Sequence, residues 1–417
     1  MLKNQTPRRR SGQEGFHHIG LLLLVVVLLA VGLVGTRVFK NSSRDNTPSR
    51  IINSNEPAAT KAVKAGQMLS RGKCQGTEKL TFTHLPMRPQ DFSILIPYGL
   101  VVGDHVTPID HQYFAPADYK SRRDAYPVYA MADSTLTEVE LRTTERGIEY
   151  RMIFAHSCTS LYYYDLVTSL SGKVKAAYEN NKGNIDVKLK AGEQIGAIGG
   201  QTLDFAYWDT DVPLTGFIKP ASYDAEAWKI YTSDPYPRFT EELRDLLTVR
   251  NPRAAEPIAG KIDYDQPGKL IGNWFLAGTN GYAGHQGNQG GSYATGHLSF
   301  APEHFDPGFF VISIGDYNGQ PAQFVTKANK PNPADVSQTT GLVKYELVQL
   351  NYLKADGTFW DRTSLAKPVK ADNSNSVIGV VLVQIIDDGN KIKFQAFPNK
   401  TAAQISGFTS AAKTYER

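Results

Sequence analysis

The sequence predicts a mainly β protein with an N-terminal transmembrane helix, an outer domain over residues 72–250 and a second, smaller β-rich domain over 251–417. Three features carry that prediction. Residues Ile19 to Thr36 form an apolar run without a charge. The chain as a whole is rich in turn formers and aromatics, with 36 Gly, 23 Pro, 21 Tyr and 19 Phe, a composition that suits many short strands better than helical bundles. Within it, segments such as LTEVEL (residues 136–141) alternate apolar with polar residues, the period of a half-buried strand.

At 1.5 Å per residue the apolar run rises about 27 Å, near the thickness of a bilayer's hydrocarbon core, so an anchor over residues 19–38 is expected. The tail at 1–18 carries Lys3, Arg8, Arg9 and Arg10 against Glu14, which favours an inside N-terminus. The bulk of the chain is then extracytoplasmic, on a single-pass protein of the cell membrane. A cleaved signal peptide is a second reading, and Gly15 before Phe16 admits a pilin-like processing site as a third. The formal charge is +4, and the tail supplies most of it; the nearly neutral body is no nucleic-acid binder.

Residues 39–71, rich in Ser, Asn and charge, read as a flexible linker with too little apolar surface for a core. From Gly72 onward strand-like segments dominate. RFTEELRDLLTV, with Thr240 as N-cap and Glu241 and Glu242 in the first turn, predicts a helix. Asn251 and Pro252 then mark a boundary. In the second body, Asp388 and Gly389 between two alternating runs predict a hairpin. The glycine-rich stretch from Gly278 to Gly296 reads as a loop and lacks the frame of a phosphate cradle. Cys74 and Cys158 allow one disulfide; two buried free thiols are the other reading.

In residues 104–204 four segments follow one another: DHVTPIDHQYFAPAD, YPVYAMADSTLTEVE, FAHSCTSLYYYDLVTSL and VKLKAGEQIGAIGGQTLDFAYWD. Their order resembles the lysostaphin-like zinc endopeptidases of bacterial cell walls, the duplicated hybrid motif. The resemblance implies a barrel-sandwich hybrid fold for the first domain. It also implies a zinc site built from a histidine, an aspartate and the second histidine of an HLHFE motif, served by two further catalytic histidines. Carried onto this chain, the metal positions fall on His111, Asp118 and Asp204, with Asp118 at a wider spacing than the family's. Thr202 and Asp165 stand where the two catalytic histidines belong.

General acid–base help is typically worth about 10²–10⁴-fold in rate, so these substitutions point to a kept framework that has lost its activity. The expected role is therefore non-catalytic and without a cofactor: binding or organising a cell-wall polymer or an envelope protein. An active zinc endopeptidase and a pilin-like subunit are the alternatives. Tyr162, Tyr164, Tyr207 and Trp208 are the candidate binding residues, as a wall that stacks on sugars, against the plainer reading of core aromatics. His297 in TGHLSF is a second candidate for the missing motif, and Asp263 with Asp265 a candidate acid–base pair.

Overall fold

A computed structural model describes residues 56–144, 146–284 and 292–417. The predicted tail and anchor, most of the linker and the tip of the glycine-rich loop lie outside the described residues. Among the described residues no helix is long and apolar enough to cross a membrane.

The linker prediction needs correction at its C-terminal end, where Ala58–Leu69 forms helix α1. AATKAVKAGQML is rich in good helix formers, and Ala62, Ala65, Gly66 and Leu69 make a buried face. A Cβ on Gly66 would sit 1.6 Å from the Cys158 carbonyl oxygen, so only glycine lets the helix approach that turn. The helix leads directly into Cys74, which is disulfide-bonded to Cys158 across a sequence separation of 84.

The first unit contains β1 (Phe92–Ile96), β2 (Gln112–Pro116), β3 (Tyr126–Tyr129), β4 (Ser134–Thr144), β5 (Gly147–Ala155), β6 (Ser160–Val167) and β7 (Ser169–Leu170). Helix α2 (Gly172–Asn181), β8 (Val187–Leu189), β9 (Gln194–Ile198) and β10 (Leu203–Asp209) follow. A 3-10 segment (Pro220–Tyr231), β11 (Thr232–Ser233) and helix α3 (Glu241–Arg250) complete it. The main sheet runs β1-β2-β10-β6-β5-β4-β8, with β11 on β10, and β3-β9-β7 forms a small second sheet. Helix α3 begins after Thr240 as the sequence predicts, although the threonine side chain makes no capping hydrogen bond.

Strand β6, SLYYYDLV, is buried at every position, so both of its faces are covered. One face carries Tyr162 and Tyr164, which pack with Phe154, Phe82 and Phe205 in the main core. The opposite face carries Tyr163 and Asp165, because successive side chains of a strand point to opposite sides.

The second unit is a closed antiparallel barrel of β12 (Gly272–Leu276), β13 (His297–Pro302), β14 (Phe310–Tyr317), β15 (Gln320–Thr326), β16 (Val343–Val348), β19 (Gly379–Ile386), β20 (Lys391–Pro398) and β21 (Lys413–Glu416). Strands β17 (Leu350–Leu353) and β18 (Lys370–Asn373) form a separate hairpin beside it. β19 and β20 pair along their whole length around Asp387–Gly389, the hairpin expected there. Alternate residues such as Trp274, Phe300, Ile312, Val383 and Phe394 fill the interior, and pairing of β12 with β21 removes the sheet edges.

The barrel interior is an apolar cluster of its own, and the first unit's cluster also crosses the boundary expected at Asn251. One apolar cluster continues from the first unit through Ala259 and Ile262 into Phe275 and Tyr282 of the second. Arg253 pins the junction: its guanidinium, 2 % exposed, donates to the carbonyls of Ala255, Pro257 and His304. A closed loop of this length restricts the unfolded chain by about 4–5 kcal/mol, so Cys74→Ser/Cys158→Ser is expected to lower the urea-unfolding free energy by roughly 2–5 kcal/mol with the fold retained. Chemical denaturation of the oxidised and double-serine chains followed by near-UV circular dichroism checks this.

Candidate functional site

The outer face of the main sheet gathers charged side chains on alternate positions of five strands. His111 directly precedes β2, and Tyr113, Asp204, Asp165, Tyr163, Arg151 and Arg142 follow across β10, β6, β5 and β4. Register dictates the grouping: Asp204 stands opposite both Asp165 and Tyr113. Together with residues of the 3-10 segment and of the barrel loops, they line a cleft of about 760 Å³ counting its open mouth.

At one side of the cleft a chain of polar contacts fixes His111. Its Nδ1 lies 3.2 Å from Asp110 Oδ1, and its Nε2 lies 3.0 Å from the Tyr113 hydroxyl and 3.3 Å from Asp204 Oδ2. Asp110 also takes hydrogen bonds from Trp228 Nε1 at 2.8 Å and Lys229 Nζ at 3.0 Å. Burial pushes the Asp110 carboxyl up, but the Lys229 ammonium and His111 outweigh it and hold the group well below the usual carboxylate range. For Lys229, burial pulls down while Asp110 and Glu226 raise it, and the net shift is upward. Both partners stay charged.

Asp204 behaves differently. Burial raises its carboxyl to about 6, with His111 and Arg142 opposing the shift. It therefore carries a proton over part of the acid range while Asp110 does not. At the other side Asp165 pairs with Arg142 and accepts the backbone N–H of Leu166 at 2.7 Å. Leu166 is held at φ 67°, a conformation that costs a non-glycine residue roughly 1–2 kcal/mol. Arg151 lies between two rings, 4.9 Å from the Tyr163 centroid and 4.4 Å from that of Trp228. Beneath the two arginines, Glu149 is fully buried opposite Arg142, and neither of its oxygens has a hydrogen-bond partner.

The sequence-predicted residues divide accordingly. His111 and Asp204 meet in the cleft. Asp118 does not join them: it is exposed, and its carboxylate caps the backbone N–H of Lys120 at 2.7 Å, a turn role its wide spacing from His111 permits. The expected aromatic wall also needs correction. Tyr162, Tyr164 and Tyr207 lie on the core face, and Trp208 is sealed beneath Tyr163 and Trp228, so all four are 0 % exposed. The rings that do line the cleft are Tyr113, Tyr163, Trp228, Tyr282 and Tyr293. Tyr163 was findable, since it shares the strand parity of Asp165; the other contributors come from distant segments with no local signal.

His297, the alternative motif histidine, is buried in the barrel junction with Nε2 3.0 Å from the Tyr282 carbonyl, and burial pulls it down to about 3. Asp263 and Asp265 are structural as well: they accept the backbone N–H groups of Gly216, Ile218 and Asn273, with Arg417 near Asp265. No group of three or more His, Cys, Asp or Glu among the described residues is arranged to hold a metal ion. The donor set does not fit zinc. The neighbouring carboxylate of Asp110 is taken up by Lys229 and Trp228, and the nearby position of Asp165 is neutralised by Arg142.

No family model matches the sequence, and no curated protein is significantly similar to it. Among solved structures, Helicobacter pylori Csd3 from a hexagonal crystal aligns with 33 % of this chain and 33 % of its own length, at 15 % identity and a TM-score of 0.22. The chain thus spans about a third of that protein, and likeness at this level carries no argument about fold or activity.

Because Asp204 titrates near 6 in the folded chain and near 4 when unfolded, the folded state binds more protons across that interval. Its contribution to stability is complete below about pH 4 and is lost as pH rises through 6. Asp204→Asn is expected to flatten this slope and to raise stability at pH 8 by on the order of 1–3 kcal/mol, read from urea midpoints across pH. Arg142→Ala, by leaving Asp165 buried and unpaired, is expected to cost about 3–5 kcal/mol, with most of it recovered in Arg142→Ala/Asp165→Ala. A double-mutant cycle in the same assay checks that coupling.

Proposed function

We propose that this chain is a membrane-anchored, extracytoplasmic protein whose first unit is a degenerate lysostaphin-like domain that binds cell-envelope material without cleaving it. One observation carries the reading: where a zinc peptidase needs imidazoles around a cation, this cleft has Asp165 paired with Arg142, and Asp204 in contact with His111. The positive charge is supplied by fixed guanidinium and ammonium groups of the chain itself. Such groups stabilise and orient a polar ligand, but they do not generate a nucleophilic hydroxide from water as a bound metal does.

The cap over the cleft supports the same reading. Trp228 and Lys229 of the 3-10 segment and Tyr282 and Tyr293 of the barrel unit leave a mouth bordered by rings and charges of both signs. Peptide stems and sugars of the cell wall present matching chemistry: carboxylates and amines for ion pairs, and ring faces for stacking. Anchoring rests on the apolar run at 19–36 and the basic tail before it.

The test uses the full chain with isolated cell-wall sacculi. Sedimentation with sacculi is expected, reduced at least several-fold in Arg151→Gln/Trp228→Ala, without release of new amino groups from the wall. Stoichiometric zinc in the purified chain that is lost in His111→Ala, together with amine release, would overturn the non-catalytic reading; no sedimentation above a control protein would overturn the binding.

A further inference from the structure

A second cleft lies between the two units and adjoins the first, since Tyr113 and Thr202 line both. It encloses about 1270 Å³ counting its open mouth. Its walls are largely apolar and come from both sides: Leu100 and Val102 from the loop after β1, and Val311, Phe324 and Leu350 from the barrel unit. The junction is held in place beside it, because Gly103 and Gln323 exchange hydrogen bonds of 3.1 and 3.0 Å. The cleft is therefore a built gap between locked units and not a loose seam.

Its cationic groups are two arginines. Arg146, at the tip of the β4–β5 hairpin, enters from the first unit and donates to Gln201 Oε1 at 3.0 Å. Arg362 enters from the second, donates to the Leu350 carbonyl at 3.1 Å and lies 4.7 Å over the Tyr352 ring. Among the described residues neither arginine has a carboxylate within 4 Å. The carboxylate that does line the cleft, Glu303, is consumed internally by His304, the Tyr352 hydroxyl and the N–H groups of Phe305 and Asp306. That engagement holds His304 by Nδ1. Arg362 is itself held at φ 67°, a backbone conformation that costs about 1–2 kcal/mol.

An apolar trough lined by two guanidinium groups that have no carboxylate partner among the described residues is complementary to one kind of molecule. We infer that this interdomain cleft binds a single-chain amphiphile with an anionic head, the alkyl chain lying between Leu100, Val102, Val311 and Leu350 and the head meeting Arg146 and Arg362. Carboxylate and phosphate monoester heads share this chemistry. The assignment is independent of the reading of the first cleft, since it uses neither His111 nor Asp204.

The test is photo-crosslinking of the full chain with a dodecanoate that carries a diazirine on its tail, the adducts being mapped by mass spectrometry. Saturable labelling is expected in the segments around Leu100–Val102 and around Val311 or Leu350, competed by dodecanoate or dodecyl phosphate and not by dodecanol. Whichever anion competes at lower concentration names the head group. Arg146→Gln and Arg362→Gln are each expected to lower the saturable yield by about tenfold, with thermal midpoints unchanged because neither side chain carries an ion pair of the fold. Absence of saturable adducts at these segments, a yield in both glutamine variants equal to that of the unsubstituted chain, or competition by dodecanol as strong as by the anions would each overturn the assignment. Sacculus binding in the same variants is expected to persist, which separates this site from the first cleft.

Discussion

The ammonium of Lys229 is the contact on which the arrangement of the first cleft depends. It is 5 % exposed, lies 3.0 Å from Asp110 and 3.1 Å from Glu226, and sits 4.8 Å over the Tyr282 ring. Taking a charge out of water is costly unless it is met on several sides, and here each side belongs to a different part of the chain. Asp110 comes from the loop entering β2, Glu226 from the 3-10 segment and Tyr282 from the barrel unit. One buried cation thereby joins three elements far apart in sequence. The same Asp110 carboxylate orients His111 and anchors the Trp228 indole, so the geometry of the histidine is tied to the closure of the cap.

Around that contact the cleft has been built as a closed system of protein charges. Arg142 answers Asp165 and lies across from Glu149, Arg151 rests between aromatic faces, and Asp204 keeps its proton into the mildly acid range because burial outweighs its cationic neighbours. A metal centre would require several of these groups as free, ionised donors converging on one point. In this chain they converge on one another, which is the physical content of the proposal that the domain binds and does not cut.

The two units are not beads on a string. The apolar cluster shared through Ala259, Ile262, Phe275 and Tyr282, the Arg253 junction and the reciprocal Gly103–Gln323 bonds make their relative placement part of the fold. Both clefts exist only because of that placement. The first borrows its cap from the barrel unit, and the second has one wall from each side.

Local backbone chemistry made much of the architecture legible in the residues alone. Alternation marked strands such as Ser134–Thr144, Thr240 with its acidic successors marked helix Glu241–Arg250, and the Asp-Gly pair marked the hairpin between β19 and β20, because strand pleat, helix termini and tight turns are each set by a few adjacent residues. The family resemblance implied His111 and Asp204 as neighbours, and the two side chains lie 3.3 Å apart. Parity along β6 also contained the answer that Tyr163, and not Tyr162 or Tyr164, shares a face with Asp165. What no stretch of sequence contained was which distant side chains would be desolvated together. That Asp118 turns to Lys120, that Arg142 neutralises Asp165, and that Lys229 and Tyr282 close the cleft were decided only when the sheet, the 3-10 segment and the barrel packed, since burial energies act between surfaces that have no proximity along the chain.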